Sequence, residues 1–579
     1  PNKMVYILAL TFIVIGIVNS TPVIPGWDGM WQKITGIEKL KTRAFATEWF
    51  YPFIFFIMML LVALNHSIWR AWQGRSYAWL GAFMDAALII SAAAISLTYL
   101  IEIDSVCLID SLNGERARIM AETLKSEIAL AEMMGLPVPD TVEDPKCVST
   151  TGVWLVLIMG LSIVVFLGYN VKVWGLPLVL VAIGVAAYTI GTVFVWYFHG
   201  PDDINKYFVT KMGGEPRRFI DGVPNVHDAL VNTASGILGR FMNIIMNMVF
   251  PYIILGALFG KSAGGKTLIK LAFRWTRKLR GGPAHAAIIS SAMFGTISGG
   301  PVVNVLSTGV LTIPMMVKRG FSKVFAGGME AAASSGGSIM PPVMGVAAFV
   351  LAAMTGIPYR DVIIAATLPA IAYFFCLFLS ASFQARKQGI EAFGDLTDDM
   401  HISGKDILHL CQICLPILLI LIFLLTPKDL VGCGTLGWIF GAEVLATDGG
   451  CEVLSLPWVL QVFQNAAGDA GATGWWAALF VAVLLFLDKD FRTSPGKLGD
   501  ALAEAGIIVS TLYLMLLAVT VIDVCLNFTG VAKFVAIDVL QFLIALDFDG
   551  GGSAIFQLVA LTITMLLAVL LGMGMPAVP

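Results

Sequence analysis

The chain has 579 residues, of which 58% are hydrophobic and 13% charged, with a formal net charge of −3. A soluble globular chain carries about 45–50% apolar and about 25% charged residues, so a water-soluble core under a charged surface is excluded for most of the length. There is no large basic domain to support a nucleic-acid partner, and no Walker motif to support nucleotide-driven pumping.

A spanning helix needs about 20 mainly apolar residues. The first apolar run, 4–19, is followed by a Pro/Gly/Trp segment rather than a small-residue cleavage site, so it reads as a span and not a secretory leader. Further runs include 52–64, 152–169 and 176–197, and residues 1–200 as a whole read as roughly five crossings with few breaks. None alternates like the strands of an outer-membrane barrel. Loop 65–76 carries Arg70 and Arg75 and no acid, and reads as inside. Loop 102–150 carries ten acids against four bases and reads as outside, with helical character around 111–135. The first loop, 20–48, falls outside by parity despite four basic residues. Residues 201–235 form a polar outer linker.

Beyond it the texture changes, and Gly, Ser, Thr and Met crowd the apolar segments. Segment 260–283 carries Lys261, Lys266, Lys270, Arg274, Arg277, Lys278 and Arg280 and no acid, the strongest inside signal in the chain. Loops 318–323, 384–406 and 489–499 each add three basic residues. Between two inside flanks lies 284–317, too short for two full crossings of about 20 residues each plus a turn. It predicts a re-entrant hairpin with its tip near Ser298-Gly299-Gly300-Pro301. Non-helical backbone at membrane depth is tolerated only where protein or a water-filled cavity covers it. The alternative is a tight helix pair packed through small residues. Asn304, Ser307 and Thr308 follow the tip with polar oxygens.

Segment 324–353 predicts one crossing, interrupted at Ser334-Ser335-Gly336-Gly337-Ser338-Ile339-Met340-Pro341-Pro342. Two prolines lack donor N–H groups and the glycines are poor helix formers. A broken helix offers carbonyls to a cation and N–H ends to a carboxylate. Glu330, just before the break, and Asp523, inside the apolar run 507–526, are intramembrane carboxyls, which are costly and functional by default. The alternative for each is structural pairing or a place near an interface. Further apolar runs lie at 361–383, 407–426 and 554–571.

Cys107 and Cys147 share loop 102–150, and Cys433 and Cys451 share the outer loop 427–472. Each pair fits a disulfide of an oxidising compartment as well as it fits chance pairing. Cys411 and Cys414 form a CxxC pattern without a nearby His, which reads as packing. His285 with Ser290 and Ser291 allows an intramembrane hydrolase to be imagined, but no nucleophile elbow accompanies them. A loose internal repeat pairs 306–309 with 527–530 and Met340-Pro341 with 572–576, the pattern of inverted repeats around a midplane site.

Three strings carry a resemblance. Gly281-Gly282-Pro283-Ala284-His285 leads into 291–299, Asn304-Val305 and Thr308-Gly309. Glu330-Ala331-Ala332-Ala333-Ser334-Ser335-Gly336-Gly337 leads into Met340-Pro341-Pro342. The third is Gly572-Met573-Gly574-Met575-Pro576. Over roughly 236–579 the chain resembles the large membrane subunit of the tripartite ATP-independent periplasmic (TRAP) transporters. Residues 1–200 resemble, by position and hydropathy, the small membrane subunit fused in front, an arrangement of the TAXI branch.

The resemblance implies an all-α polytopic fold of the bacterial inner membrane: an inverted-repeat elevator with re-entrant hairpins and broken helices. It implies a periplasmic substrate-binding protein as partner, a small organic acid of the dicarboxylate or oxo-acid class as substrate, and no enzymatic activity or cofactor. The drive it implies is a sodium gradient; carboxyl chemistry at Glu330 or Asp523 leaves protons as the alternative. The first half-site would use Gly299, Gly300, Asn304, Ser307 and Thr308 with Ser335, Gly336, Gly337, Ser338 and Met340. The second would use Asp523, Thr529 and Gly530 with Gly572, Met573, Gly574 and Met575. A family member would continue beyond Pro579, so part of the transport domain is expected outside this sequence. A stand-alone elevator carrier without a binding protein is the remaining alternative within this architecture, and a channel lies outside it.

Overall fold

The structure is a computed structural model that describes residues 3–36, 42–45, 47–102, 124–125, 128, 153–199, 236–392, 401–426, 443–447, 450–455, 457–545 and 554–573. In lipid every backbone N–H and C=O must be paired within the protein, and a helix does this within one segment. Long apolar runs accordingly become helices. In chain order they are α1 (Lys3–Ser20), α2 (Trp27–Thr35), α3 (Thr47–Asn65), α4 (Ile68–Ala71), α5 (Ala78–Glu102), α6 (Val153–Val173) and α7 (Leu176–His199). Then come α8 (Arg240–Gly260), α9 (Gly264–Thr276), α10 (Gly282–Ser298), α11 (Pro301–Lys318), α12 (Lys323–Gly336), α13 (Val346–Thr355), α14 (Tyr359–Lys387) and α15 (Gly404–Leu425). After a two-stranded hairpin follow α16 (Trp458–Ala466), α17 (Ala470–Leu485), α18 (Lys489–Arg492), α19 (Gly496–Thr529), α20 (Val531–Ala545) and α21 (Ala554–Met573).

Nine helices among the described residues are long and apolar enough to cross a membrane. The predicted all-α polytopic fold is therefore present, and each apolar run named from the sequence is helical. Within 3–199 lie four of the nine, in α1, in α3 with α4, in α5 and in α7, and α6 adds a shorter apolar stretch, Ile158–Val173. One departure is the hairpin of β1 (Glu443–Thr447) and β2 (Gly450–Ser455), antiparallel with Thr447 opposite Gly450, inside the predicted outer loop 427–472. The predicted helix around 111–135 and the linker 201–235 lie almost wholly outside the described residues.

By contact the chain forms two compact units: Pro1–Phe45, Asn243–Val509 and Ala577–Pro579 in one, Ala46–Met242 and Ser510–Pro576 in the other. In the first, α1 packs edge-on through Phe12 against Phe250, with ring centroids 6.0 Å apart. Gly16 and Gly506 let neighbouring helices approach where a larger residue would strike Phe250 or the Ala9 carbonyl. A buried cluster including Ala284, Ile288, Met316, Phe321, Ala333 and Ala381 joins α10, α11, α12 and α14. The Gln412 amide donates to the Leu484 carbonyl at 2.9 Å, tying α15 to α17. Local rules start these helices: Ser322 caps α12, Asp469 caps α17, and Ser403 with Asp406 makes a capping box on α15.

In the second unit Phe55 sits edge-on between Phe166 and Tyr513, with centroids 6.0 and 5.9 Å away. The buried Asn170 donates to the carbonyls of Phe166 and Leu514 at 2.9 and 2.8 Å. Asp85 is the polar hub. It accepts from Ser67 Oγ at 2.5 Å, Tyr169 O–H at 2.6 Å, and the backbone N–H groups of Ile68 and Trp69 at 2.8 and 3.2 Å. It thereby caps α4 and pins it to α5 and α6.

Candidate functional site

The hairpin forms where the sequence placed it. α10 has 17 residues and α11 has 18, so at about 1.5 Å per residue each arm is about 25–27 Å long. The tip is Gly299, at φ +58° in the left-handed region, then Gly300 in extended backbone, then Pro301 opening α11. The break also forms where expected. α12 ends at Gly336, Gly337–Ile339 make a 3₁₀ turn, Met340 is extended, and α13 starts at Val346.

Hairpin and break touch through main chain. A Cβ on Gly295 would strike the Gly337 backbone, and one on Gly299 would strike the Met344 carbonyl. A Cβ on Gly337 would stand 2.7 Å from Asn304 Nδ2 and 3.0 Å from the Gly295 Cα. Asn304, itself buried, donates to the Ser291 carbonyl at 2.9 Å. Tyr359 closes the far side of the break, its O–H reaching the Pro342 and Val343 carbonyls at 3.0 and 2.6 Å. Gly336 is small because Tyr373 lies against it.

Beside this seam the first turns of α11 widen into a π segment, Val305–Gly309, a local distortion frequent at functional sites. Gly309 lies against the side chain of Glu330, whose Cγ would be 3.0 Å from an added Cβ. Glu330 is 0% exposed. Its Oε1 accepts from Thr308 at 2.5 Å, Ser291 at 3.2 Å and Ser334 at 3.3 Å, and its Oε2 from Thr312 at 2.5 Å. No Lys, Arg or His pairs with it among the described residues.

Four hydroxyls around one buried carboxyl allow two proton arrangements. With the carboxylate ionised, all four O–H groups donate to it. With it protonated, its own O–H donates to a threonine oxygen, and the threonine hydrogens turn to backbone carbonyls already in reach. For Thr308 that is the Asn304 carbonyl at 2.9 Å, and for Thr312 the Thr308 carbonyl at 3.0 Å. Neither state leaves a buried polar group unpaired, which is what makes buried carboxyls costly elsewhere. The 2.5 Å contacts lie at the short end of the O–H···O hydrogen-bond range.

The remaining predicted residues divide. Ser307 donates to the Val303 carbonyl at 2.8 Å, and Ser338 to the Ser335 carbonyl at 2.8 Å, so both satisfy their own turns. Ser335 and Met340 line the break without being buried. Asp523 lies in the second unit on α19 and accepts from Asn527 at 3.0 Å, with Arg240 in electrostatic reach. Thr529 donates to the Cys525 carbonyl at 2.8 Å, and Gly530, at φ +67°, turns the chain from α19 into α20. Gly572 and Met573 end α21, whereas Gly574 and Met575 lie outside the described residues. So do Cys107, Cys147 and Cys433; Cys451 stands in β2 opposite Ala446. Cys411 and Cys414 are free thiols on the exposed side of α15.

His285 does not address Ser290. Its Nδ1 contacts the Gly281 carbonyl at 3.1 Å and its Nε2 contacts Ser382 Oγ at 2.8 Å, while Ser290 donates to the Ala287 carbonyl at 3.2 Å. The partners of Glu330 that sequence reasoning missed are Ser291, Thr312 and Ser334. The signal available was spacing, since Thr308/Thr312 and Glu330/Ser334 are each one helical turn apart.

Residues 238–579 match the family described as "Tripartite ATP-independent periplasmic transporter, DctM component". The chain is 27% identical over 159 residues to the C4-dicarboxylate TRAP transporter large permease protein DctM of Vibrio cholerae, covering 27% of this chain and 35% of that protein. It is 39% identical over 97 residues to the isethionate TRAP transporter permease protein DctMQ of Oleidesulfovibrio alaskensis, covering 16% and 15%. It is 31% identical over 96 residues to the DctM large permease of Rhodobacter capsulatus, covering 16% and 22%. These alignments thus span about a third or less of the relatives' lengths. With the family match extending over more than half of a chain rich in spanning helices, the protein belongs to the DctM component of the tripartite ATP-independent periplasmic transporters, a family of transporters and not of enzymes.

Proposed function

We propose that this chain is the membrane part of a secondary active importer in the bacterial inner membrane. A periplasmic binding protein delivers a small organic acid of the dicarboxylate or oxo-acid class, and an ion gradient drives uptake. The relatives named for C4-dicarboxylates and for isethionate support an acidic substrate. The helices of 1–200 then serve as a fused small-subunit scaffold of the TAXI type, 201–235 as a linker, and 236–579 as the large-subunit region. The main-chain seam between hairpin and break supports an elevator, because the two segments must travel together.

The observation that carries the coupling is Glu330, fully buried, facing four hydroxyls and, among the described residues, no cation. A group that keeps its hydrogen bonds in both charge states is suited to take up a proton on one side and release it on the other. Protons are therefore the reading this geometry favours. Sodium at the break is the second reading. It rests on the non-helical stretch 340–345, which supplies carbonyls outside any helical ladder.

Proteoliposome uptake with the binding protein tests both. A panel of labelled dicarboxylates and oxo-acids is offered under an inward proton or sodium gradient, with the membrane potential clamped. Accumulation on the proton gradient alone supports Glu330 as carrier; accumulation on sodium alone makes Glu330 structural and moves the ion to the break. Uptake of the same acids without any binding protein would instead make the chain a stand-alone carrier.

A further inference from the structure

α9 has two faces of different chemistry. Its inner face buries Leu268, Ile269, Ala272, Phe273 and Thr276. There Ile269, Ala272 and Phe273 pack against Ala286 of α10, and Thr276 donates to the Gly282 carbonyl at 3.0 Å. Its outer face and the turn after it carry Lys266, Arg274, Lys278 and Arg280, all exposed, with Arg277 half-buried between them. Two other cations of the segment are neutralised: Lys261 pairs with Glu504 at 2.7 Å and Lys270 with Asp406 at 3.2 Å. The five on the outer face have no ion pair among the described residues, and the segment 260–283 contains no acid.

The surroundings strengthen the same sign. Gly281 packs so closely on Ala385 and Phe321 that a Cβ there would strike Ala385. Arg280 therefore stands at the corner where α11 ends with Lys318 and α14 ends with Arg386 and Lys387. Glu391 is the acid nearest in sequence to that corner, and it is exposed. Among these cations Trp275 is 58% exposed and Leu279 37%. An exposed indole and an aliphatic side chain set within a cationic face form the amphipathic pattern of a helix lying in a lipid interface.

We propose that the outer face of α9 and the turn after it bind the headgroups of anionic phospholipids in the cytoplasmic leaflet. Arg274, Arg277, Lys278 and Arg280 meet the phosphates, and Trp275 and Leu279 enter the headgroup–acyl boundary. Because the inner face of α9 is bonded to the start of α10, bound lipid steadies the base of the hairpin.

Purified full chain in detergent is titrated with phosphatidylglycerol or phosphatidylcholine, and bound lipid is counted by native mass spectrometry. Each lysine or arginine near an anionic surface contributes about fivefold in affinity. The combined variant Arg274→Gln, Arg277→Gln, Lys278→Gln and Arg280→Gln is expected to lose the preference for phosphatidylglycerol by roughly a hundredfold or more. Neutralising Lys489 and Arg492 on α18 is expected to leave it. Equal binding of both lipids by the parent chain, retention by the combined variant, or equal protection by inorganic phosphate at matched concentration overturns the proposal. If the combined variant does not fold, salt titration of the parent decides: retention that ignores ionic strength overturns it.

Discussion

Thr308 and Glu330 meet between the π segment of α11 and the middle of α12, hydroxyl to Oε1, at 2.5 Å. One turn on, Thr312 holds the other carboxyl oxygen at the same distance. Two threonines on one strip of helix thus grip both oxygens of a carboxyl that no cation neutralises among the described residues. The glutamine variant is the direct test. An amide can accept from Ser291, Thr308 and Ser334 and donate to Thr312, so Glu330→Gln is expected to stay within about 1 kcal/mol of the parent in stability. It is expected to abolish accumulation driven by a proton gradient. Proteoliposome uptake against external pH measures this, and an unchanged pH dependence would remove Glu330 from the coupling.

Thr312 distinguishes a hydrogen-bonding role from mere filling. Thr312→Val keeps the shape and removes the one donor to Oε2 among the described residues, leaving a buried acceptor short by about 1–3 kcal/mol. Thr312→Ser restores the donor with one methyl fewer. Uptake should be lost in the first and largely recovered in the second. Equal uptake by both would make the methyl group, not the hydroxyl, the reason for threonine.

The seam between α10 and the break makes an opposed pair of predictions for glycine. Gly337→Ala puts a Cβ against Asn304 and the Gly295 Cα and should cost about 1–3 kcal/mol by overpacking. Gly328→Ala, inside α12 but with open space around it, should gain about 0.5–1 kcal/mol from helix propensity. Thermal unfolding in detergent compares the two, and the same sign for both would refute the close approach.

In the second unit the stability question is electrostatic. Asp85→Ala removes the acceptor of two backbone N–H groups, Ser67 and Tyr169. The expected loss is about 2–4 kcal/mol, since hydrogen bonds to charged groups outweigh neutral ones. Chemical or thermal unfolding of the full chain reads it, and a loss below about 1 kcal/mol would mean that the cap on α4 is solvated instead.

How much of this was legible in the sequence follows from the range of each signal. Gly299-Gly300-Pro301 and Gly336-Gly337 through Pro342 are local instructions about backbone angles, so the tip and the break were readable to within a residue or two. Glu330 was readable as a lone carboxyl in an apolar run. Its partners were readable only through spacings of one helical turn, Thr308/Thr312 and Glu330/Ser334; that they meet one carboxyl depends on how three helices pack. The π segment Val305–Gly309 includes Thr308, and a 3.6-residue period does not encode that widening. Ser291 arrives from a third helix, through packing that only the glycines permit. The β1–β2 hairpin was missed for a different reason. Asp448-Gly449 is a turn dipeptide, but the runs on either side of it are only five and six residues long.

The seam itself carries a kinetic consequence. Gly295, Gly299 and Gly337 place main chain on main chain, so no rotamer exists whose flip could part the two segments. A side-chain gate opens on picosecond-to-nanosecond times, whereas displacing whole helices takes microseconds to milliseconds. Any opening between the hairpin and the break therefore belongs to the slow class, and a turnover that depends on it inherits that ceiling.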